Sequence, residues 1–253
     1  PFLDRVVECD VLDDRRLAEI IREGAYDVVV NAVGILNADA EEHHALAAYV
    51  NGYLPHRLAE MSEGLPTRVF HLSTDCVFAG NGGPYSEVSI PDGRTFYDRS
   101  KALGEIDDGR NLTLRQSIVG PDVNERGIGL LNWFMGQEGS VSGYSHAIWT
   151  GLTTLELARA IEACAADGSA GLVNMVPPES ISKYELLCMF NDQIRNGEVR
   201  VDPVGEPRLD KTLVRVNEAP SFRPAPYETQ VRELAAWMRA HAELYPHYRL
   251  ERE

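Results

Sequence analysis

Apolar and polar positions fall into alternating blocks over the first half of this chain. Residues 5–9 (RVVEC) are a short apolar run that predicts a strand. Asp13 stands where an N-cap belongs, and DRRLAEIIRE behind it carries helical periodicity up to Gly24. Residues 27–32 (DVVVNA) are apolar without alternation, which predicts a parallel strand buried on both faces. A long helical stretch covers 39–63, and Pro55 inside it predicts a kink or break. Residues 67–72 predict the next strand, 79–93 a glycine- and proline-rich loop, 97–107 a helix and 112–116 a strand. Strand and helix therefore alternate, which argues for a parallel sheet with helices on both faces.

The second half is less regular. Helices are expected at 153–166, 182–194 and 227–243, and a strand at 172–176. Residues 196–226 hold five prolines and little periodicity, which reads as a loop-rich region. The expected fold class is α/β: a Rossmann-like doubly wound parallel sheet with a smaller C-terminal lobe. Residues 1–120 would form a dinucleotide-binding core with helix 151–168 packed on it, and 121–253 mainly the substrate lobe. Such a sheet normally opens with a strand, a glycine-rich turn and a helix that hold a pyrophosphate. No G-x-G-x-x-G or G-x-x-G-x-x-G precedes Arg5. The opening strand and glycine-rich loop are expected to lie before residue 1, because a sheet lacking its central strand exposes unpaired edges. The alternative is a protein without this element.

Charge and cysteine usage narrow the partners. The formal net charge is −15 and no basic stripe occurs, which excludes a nucleic-acid partner. A phosphorylated ligand would need a local positive site built from backbone N–H groups and a few arginines. The four cysteines form no C-x-x-C, and His43–His44 cannot share one helix face, so no metal site is expected. Reduced thiols fit a cytoplasmic location. The apolar run 28–36 is broken by Asn31 and too short to span a bilayer, and the first residues carry no signal-peptide pattern.

Four segments carry candidate chemistry. In FYDRSK (96–101), Tyr97 and Lys101 are spaced i, i+4 and share a helix face. A lysine charge near a phenol favours phenolate, so Tyr97 can give a proton to a carbonyl oxygen as hydride arrives at its carbon. With ten Tyr and three Lys in 253 residues, roughly 0.12 accidental Y-x-x-x-K matches are expected. The plain alternative is an exposed helical pair. In HLSTDCVF (71–78), Ser73 or Thr74 at a strand's carboxyl end could polarise that carbonyl; a strand-ending turn is the alternative. Asn31-Ala32-Val33-Gly34 ends the DVVV strand with small residues that let a dinucleotide approach, or it is an ordinary turn. Cys9-Asp10-Val11 places an acid where it could meet an adenine amino group, or where it caps a helix.

These elements occur in the order D-V, N-A-x-G, S-T-D, Y-x-x-x-K. With HLSTDCVFAG (71–80), the stretch 84–105, LRQSIVGP (114–121) and NGYLPHRLAE (51–60), the chain resembles the extended short-chain dehydrogenase/reductases, most closely the dTDP-4-dehydrorhamnose reductase branch. The likeness covers about residues 5–195. It implies NADPH- or NADH-dependent reduction of a 4-keto nucleotide sugar in polysaccharide precursor biosynthesis, with Thr74, Tyr97 and Lys101 as the triad. By the same resemblance Asp10, Val11, Asn31, Ala32, Val33, Gly34 and Ser73 would border the cofactor, with Gln116, Ser117 and Ile118 near the nicotinamide. Asn51 would support the lysine through water. Asp75, Cys76 and Val77 would face the sugar, although the family often has Tyr where this chain has Cys76. Trp149, in the segment 143–151, would stack on a sugar or base or else simply pack; Arg115 would meet the diphosphate or form a surface ion pair. Beyond the nucleotide sugar, the partner admitted is a second copy in a homodimer. Two rivals stand beside this reading. One is a non-catalytic regulatory subunit on the same fold. The other is an epimerase or dehydratase, and dehydration is disfavoured because Cys76 occupies the place of the required carboxylic acid.

Overall fold

The computed structural model describes residues 6–250. Its elements in chain order are α1 (Asp14–Gly24), β1 (Val28–Asn31), α2 (Asn37–Glu42), α3 (His44–Ala47), α4 (Leu54–Met61), β2 (Arg68–Thr74), α5 (Phe96–Leu103) and β3 (Leu112–Gln116). They continue with β4 (Ile118–Val119), α6 (Leu130–Met135), β5 (Ser140–Tyr144), β6 (Ala147–Trp149), β7 (Leu152–Thr153), α7 (Thr154–Asp167) and β8 (Gly171–Asn174). The remainder is β9 (Ile181–Ser182), α8 (Lys183–Gln193), β10 (Arg200–Val204), β11 (Leu209–Asp210) and α9 (Tyr227–Ala240). The principal sheet has the order β1-β2-β3-β8, and β1 pairs in parallel with β2, Asn31 opposite His71. Asn31, Thr74 and Gln116 therefore end three neighbouring strands at their carboxyl ends, as the motif order predicts.

Compactness divides the chain into two interleaved units, not at a single cut near residue 120. The first takes Pro1–Ser73, Arg94–Leu114 and Ser169–Leu172; the second takes Thr74–Gly93, Arg115–Gly168 and Val173–Glu253 and holds the greater share of the chain. In the first unit Ile21, Val50, Leu54, Leu58, Val69 and Ile106 form the apolar cluster. Helix α1 begins as expected, with the Asp13 side chain accepting from the Arg16 N–H. The predicted strand at 5–9 is absent over residues 6–9, and Arg5 lies outside the described residues. Strand β1 is not buried on both faces as its composition suggested: Val30 is 41% exposed, because among the described strands β1 is the sheet's edge.

The long helix expected over 39–63 is interrupted twice. Residue His43 breaks it between α2 and α3, and a π-helical turn, Ala48–Tyr53, leads into α4. Pro55 sits in the first turn of α4, where its missing N–H costs nothing. It also leaves the Asn51 carbonyl, four residues back, without an α-helical donor. Gly104 packs against that carbonyl: a Cβ built on Gly104 would lie 1.9 Å from Asn51 O.

In the second unit the core is built by Leu131, Phe134, Trp149, Phe190, Val231 and Met238, among others. Helix α8 opens with a Ser182–Glu185 capping box and α7 with Thr153 capping the Glu156 N–H. The loop expected at 196–226 contains β10, paired in parallel with β5 despite Pro203, and β11, paired with β6. A proline is tolerated there because β10 has one partner only and the prolyl nitrogen can face away from it.

The Gly104 contact is with backbone and cannot give way cheaply. Gly104→Ala is expected to destabilise the protein by about 3 kcal/mol. Gly109→Ala, whose Cβ meets nothing within 4 Å, should stay within about 0.5 kcal/mol. Urea titration of both variants against wild type checks this.

Candidate active site

Helix α5 starts with a capping box: Thr95 Oγ1 accepts the Asp98 N–H, and Asp98 Oδ2 accepts the N–H of Thr95 and of Arg94. Glu41 accepts the Tyr97 N–H at 3.0 Å, and the His44 ring stacks on Phe96 with centroids 4.1 Å apart. The helix end is thus held from the side by α2 and α3. Tyr97 and Lys101 are both buried on it, so the exposed-pair alternative fails.

Lys101 Nζ donates to the Leu72 carbonyl at 2.7 Å and lies 3.3 Å from His71 Nε2. On the other side of the ring, His71 Nδ1 is 3.2 Å from Asn31 Nδ2. Two residues along β2, Ser73 Oγ donates to Glu105 Oε1 at 2.6 Å. Strand neighbours two apart, His71 and Ser73, thus meet Lys101 and Glu105, four apart. Burial pushes the Lys101 ammonium down to about 8, partly opposed by the charge of Glu105. Burial, then the charge of Lys101, then that of His56 hold the His71 imidazole well below its ordinary value, so the ring is neutral.

Asn51 is fully engaged. It donates to Ile35 O and Ser100 Oγ and accepts the Ile35 N–H, while Ser100 Oγ donates to Tyr97 O. Its support of α5 runs through Ser100. Asn31 Oδ1 accepts the Val33 N–H at 3.3 Å; Ala32 and Val33 are exposed beyond the strand end, followed by half-buried Gly34. Asp10 accepts the Leu12 N–H in a tight turn before α1, and Val11 is half-buried beside it.

In the second unit, Thr74 Oγ1 accepts the Cys76 N–H at 3.1 Å and donates to Asp75 Oδ1 at 3.2 Å. Asp75 is buried; burial raises its carboxyl above the ordinary value, and the charges of Lys183 and Lys211 oppose that. Val77 is fully buried and Cys76 half-buried. Both hydroxyls proposed to polarise a carbonyl give their protons to carboxylates, Ser73 to Glu105 at 2.6 Å and Thr74 to Asp75 at 3.2 Å, so Thr74 has the longer and weaker bond to give up. Gln116 is buried at the end of β3 with Oε1 lacking a hydrogen-bond partner. Ser117 O accepts from Leu152, and Ile118 is exposed on β4.

Two expectations need correction. Trp149 is no stacking platform: it is 4% exposed, with Lys183 Nζ 4.9 Å above its ring and Tyr227 tilted against it at 5.6 Å. Its size and apolarity bury it in the core. Arg115 is not at the surface. It is 2% exposed, with its guanidinium over the Phe78 ring at 5.0 Å. Sequence reasoning missed His71, Glu105, Lys183 and Lys211. The signal for the first two was the two-residue spacing of His71 and Ser73 against the four-residue spacing of Lys101 and Glu105.

Residues 3–114 match the family model described as RmlD substrate binding domain. A dTDP-4-dehydrorhamnose reductase of Streptomyces griseus is 38% identical over 98 residues, covering 38% of this chain and 32% of that protein. The matched part thus spans about a third of the length of that curated relative. The β subunit of methionine adenosyltransferase 2 from Xenopus laevis is 29% identical over 100 residues, 39% of this chain and 30% of that one. The fold is similar to that of a Bacillus anthracis dTDP-4-dehydrorhamnose reductase solved in complex with NADP, with a TM-score of 0.78 at 18% identity, covering 90% of this chain and 87% of that one. That likeness is one of fold: a parallel sheet flanked by helices, shared over most of the chain. Over residues 3–114 the chain is similar to the RmlD family.

The buried lysine has a thermodynamic signature. Its folded value lies below the ordinary 10.5, so burial lowers stability at pH 7, and the deficit is relieved as pH rises from about 8 towards 10.5. Lys101→Met should therefore be more stable than wild type at pH 7 by on the order of 2 kcal/mol. The gain should shrink towards pH 10. Chemical denaturation at both pH values is the measurement, and an unchanged gain at pH 10 would contradict it.

Proposed function

We propose that this chain acts as an NADPH- or NADH-dependent oxidoreductase that reduces the 4-keto group of a nucleotide sugar. The observation that carries the reading is the buried Tyr97–Lys101 face, with Lys101 drawn onto the carboxyl half of β2. The family match over residues 3–114 supports it. Residues 1–120 with helix 151–168 would serve the cofactor, and 121–253 mainly the sugar. Two observations support a dinucleotide: in the first unit Ala32 and Val33 are exposed beyond Asn31, and in the second Gln116 has a buried side-chain oxygen without a hydrogen-bond partner. Asp10, Val11, Gly34, Ser73, Ser117 and Ile118 complete the set that would hold it. When bound, a reduced nicotinamide supplies hydride to the carbonyl carbon.

In this mechanism Tyr97 gives its phenolic proton to the ketone oxygen, so the C=O π bond is replaced by C–H and O–H. Lys101, when protonated, lowers the phenol's pKa by its charge. Thr74, the third member of the triad that the resemblance implies, would offer its hydroxyl to a carbonyl oxygen, giving up its bond to Asp75. Asp75, Cys76 and Val77 would lie towards the sugar. The four cysteines form no disulfide, and among the described residues no helix is long and apolar enough to cross a membrane. A cytoplasmic location is part of the reading.

A second reading, a regulatory subunit on this fold, is favoured by the likeness to a methionine adenosyltransferase β subunit. Tyr97→Phe distinguishes the two. It removes one hydroxyl, so the circular dichroism spectrum should be kept while reduction of 4-keto nucleotide sugars falls by about 10²-fold or more. Assays with NADPH and with NADH on the full-length gene product give the wild-type reference. Wild type without turnover on either coenzyme would favour the subunit reading.

A further inference from the structure

Lys101, His71 and Asn31 form one buried row, and their hydrogens can be counted. The Val33 N–H points at Asn31 Oδ1. The amide's other end, Nδ2, then donates to His71 Nδ1, 3.2 Å away. A neutral imidazole accepting at Nδ1 carries its proton on Nε2. That N–H faces Lys101 Nζ at 3.3 Å. An ammonium has only donors, so this arrangement is satisfied when Lys101 is the free amine, which accepts from His71 while donating to Leu72 O. When Lys101 gains a proton, two donors face each other inside the protein. The conflict is relieved if the imidazole proton moves to Nδ1 and the Asn31 amide turns over to accept it. Nε2 then accepts from the ammonium, and the Val33 N–H loses its acceptor.

We propose that Asn31, His71 and Lys101 act as one coupled relay, in which His71 is a positioning residue whose tautomer follows the proton on Lys101. The charged and titratable groups facing the relay are Glu105 towards Lys101 and His56 towards His71, with Tyr97 one turn before Lys101 on the same helix. Burial keeps His71 neutral and brings Lys101 down to about 8, so the lysine is the member of the row that titrates. The relay ends at the Asn31–Val33 turn. Whatever binds against that turn and competes for Asn31 Oδ1 or the Val33 N–H therefore acts on Lys101 through two hydrogen bonds. The catalytic meaning rests on Lys101 being the partner of Tyr97, as proposed above; the relay itself does not.

The test uses the whole chain and needs no turnover, so it can fail while the reductase reading stands, and the reverse. Two-bond ¹H–¹⁵N correlation spectra report which imidazole nitrogen of His71 is protonated. Lysine ¹³Cε labelling reports Lys101 among only three lysines. As pH rises, His71 should pass from Nδ1–H to Nε2–H without becoming imidazolium, at the midpoint at which Lys101 loses its proton. The Val33 amide proton should shift at that same midpoint. Asn31→Asp offers only acceptors to Nδ1 and should lock the Nδ1–H tautomer. That leaves an acceptor facing Lys101 and should raise its midpoint by about one pH unit, a tenfold change in the protonation ratio. A His71 tautomer that stays constant across the Lys101 titration, or a ring that becomes imidazolium above pH 6, overturns the relay. An Asn31→Asp protein that is folded but leaves the Lys101 midpoint in place does so as well.

Discussion

The hydrogen bond from Lys101 Nζ to the Leu72 carbonyl, 2.7 Å long and inside the protein, ties helix α5 to strand β2. Placing an amine there is costly, because burial disfavours its charged form. The cost is tolerable only if neighbouring groups meet the amine in fixed positions, and the surroundings are built accordingly. Gly104 lets α5 approach the π-helical turn, where Asn51 binds Ser100 within the same helix. The capping box at Thr95 and Asp98 fixes where the helix begins, and hence which face Tyr97 and Lys101 share. Strand and helix repeats then coincide: His71 and Ser73 on one side, Lys101 and Glu105 on the other.

Lysine use in this chain follows chemistry. Arginine is its ordinary cation, with 21 of the 24 basic side chains counted as Lys and Arg, which leaves three lysines. One is Lys101; the charges of the other two, Lys183 and Lys211, act on the buried carboxyl of Asp75 beside Thr74. A guanidinium keeps its proton in any protein environment, whereas an amine can lose it when buried. Arginine accordingly serves where a fixed multi-donor brace is wanted. Arg110 reaches three carbonyls, of Ser62, Leu65 and Thr67, and Arg195 those of Phe134, Met135 and Gln137.

The sequence by itself determined the local elements of the sheet core and the order of the chemical groups along it. Helix α1 with its Asp13 cap, strands β1 to β3, helices α5, α7, α8 and α9, and the strand-end positions of Asn31, Thr74 and Gln116 follow from periodicity and capping, which act within a few residues. The family resemblance was legible for the same reason, since Y-x-x-x-K and S-T-D are contiguous. Other features were decided only by tertiary structure. Burial of β1 depends on which strands flank it, and β10 depends on a partner, β5, that is remote in sequence. Trp149 and Arg115 looked like ligand contacts in isolation, but packing against Tyr227, Lys183 and Phe78 made them interior residues. His71 acquired its role from Asn31 and Lys101, 40 and 30 residues away. Hydrogen-bond direction in a buried row is set by every member at once, so no residue's part in it could be read before the fold brought the row together.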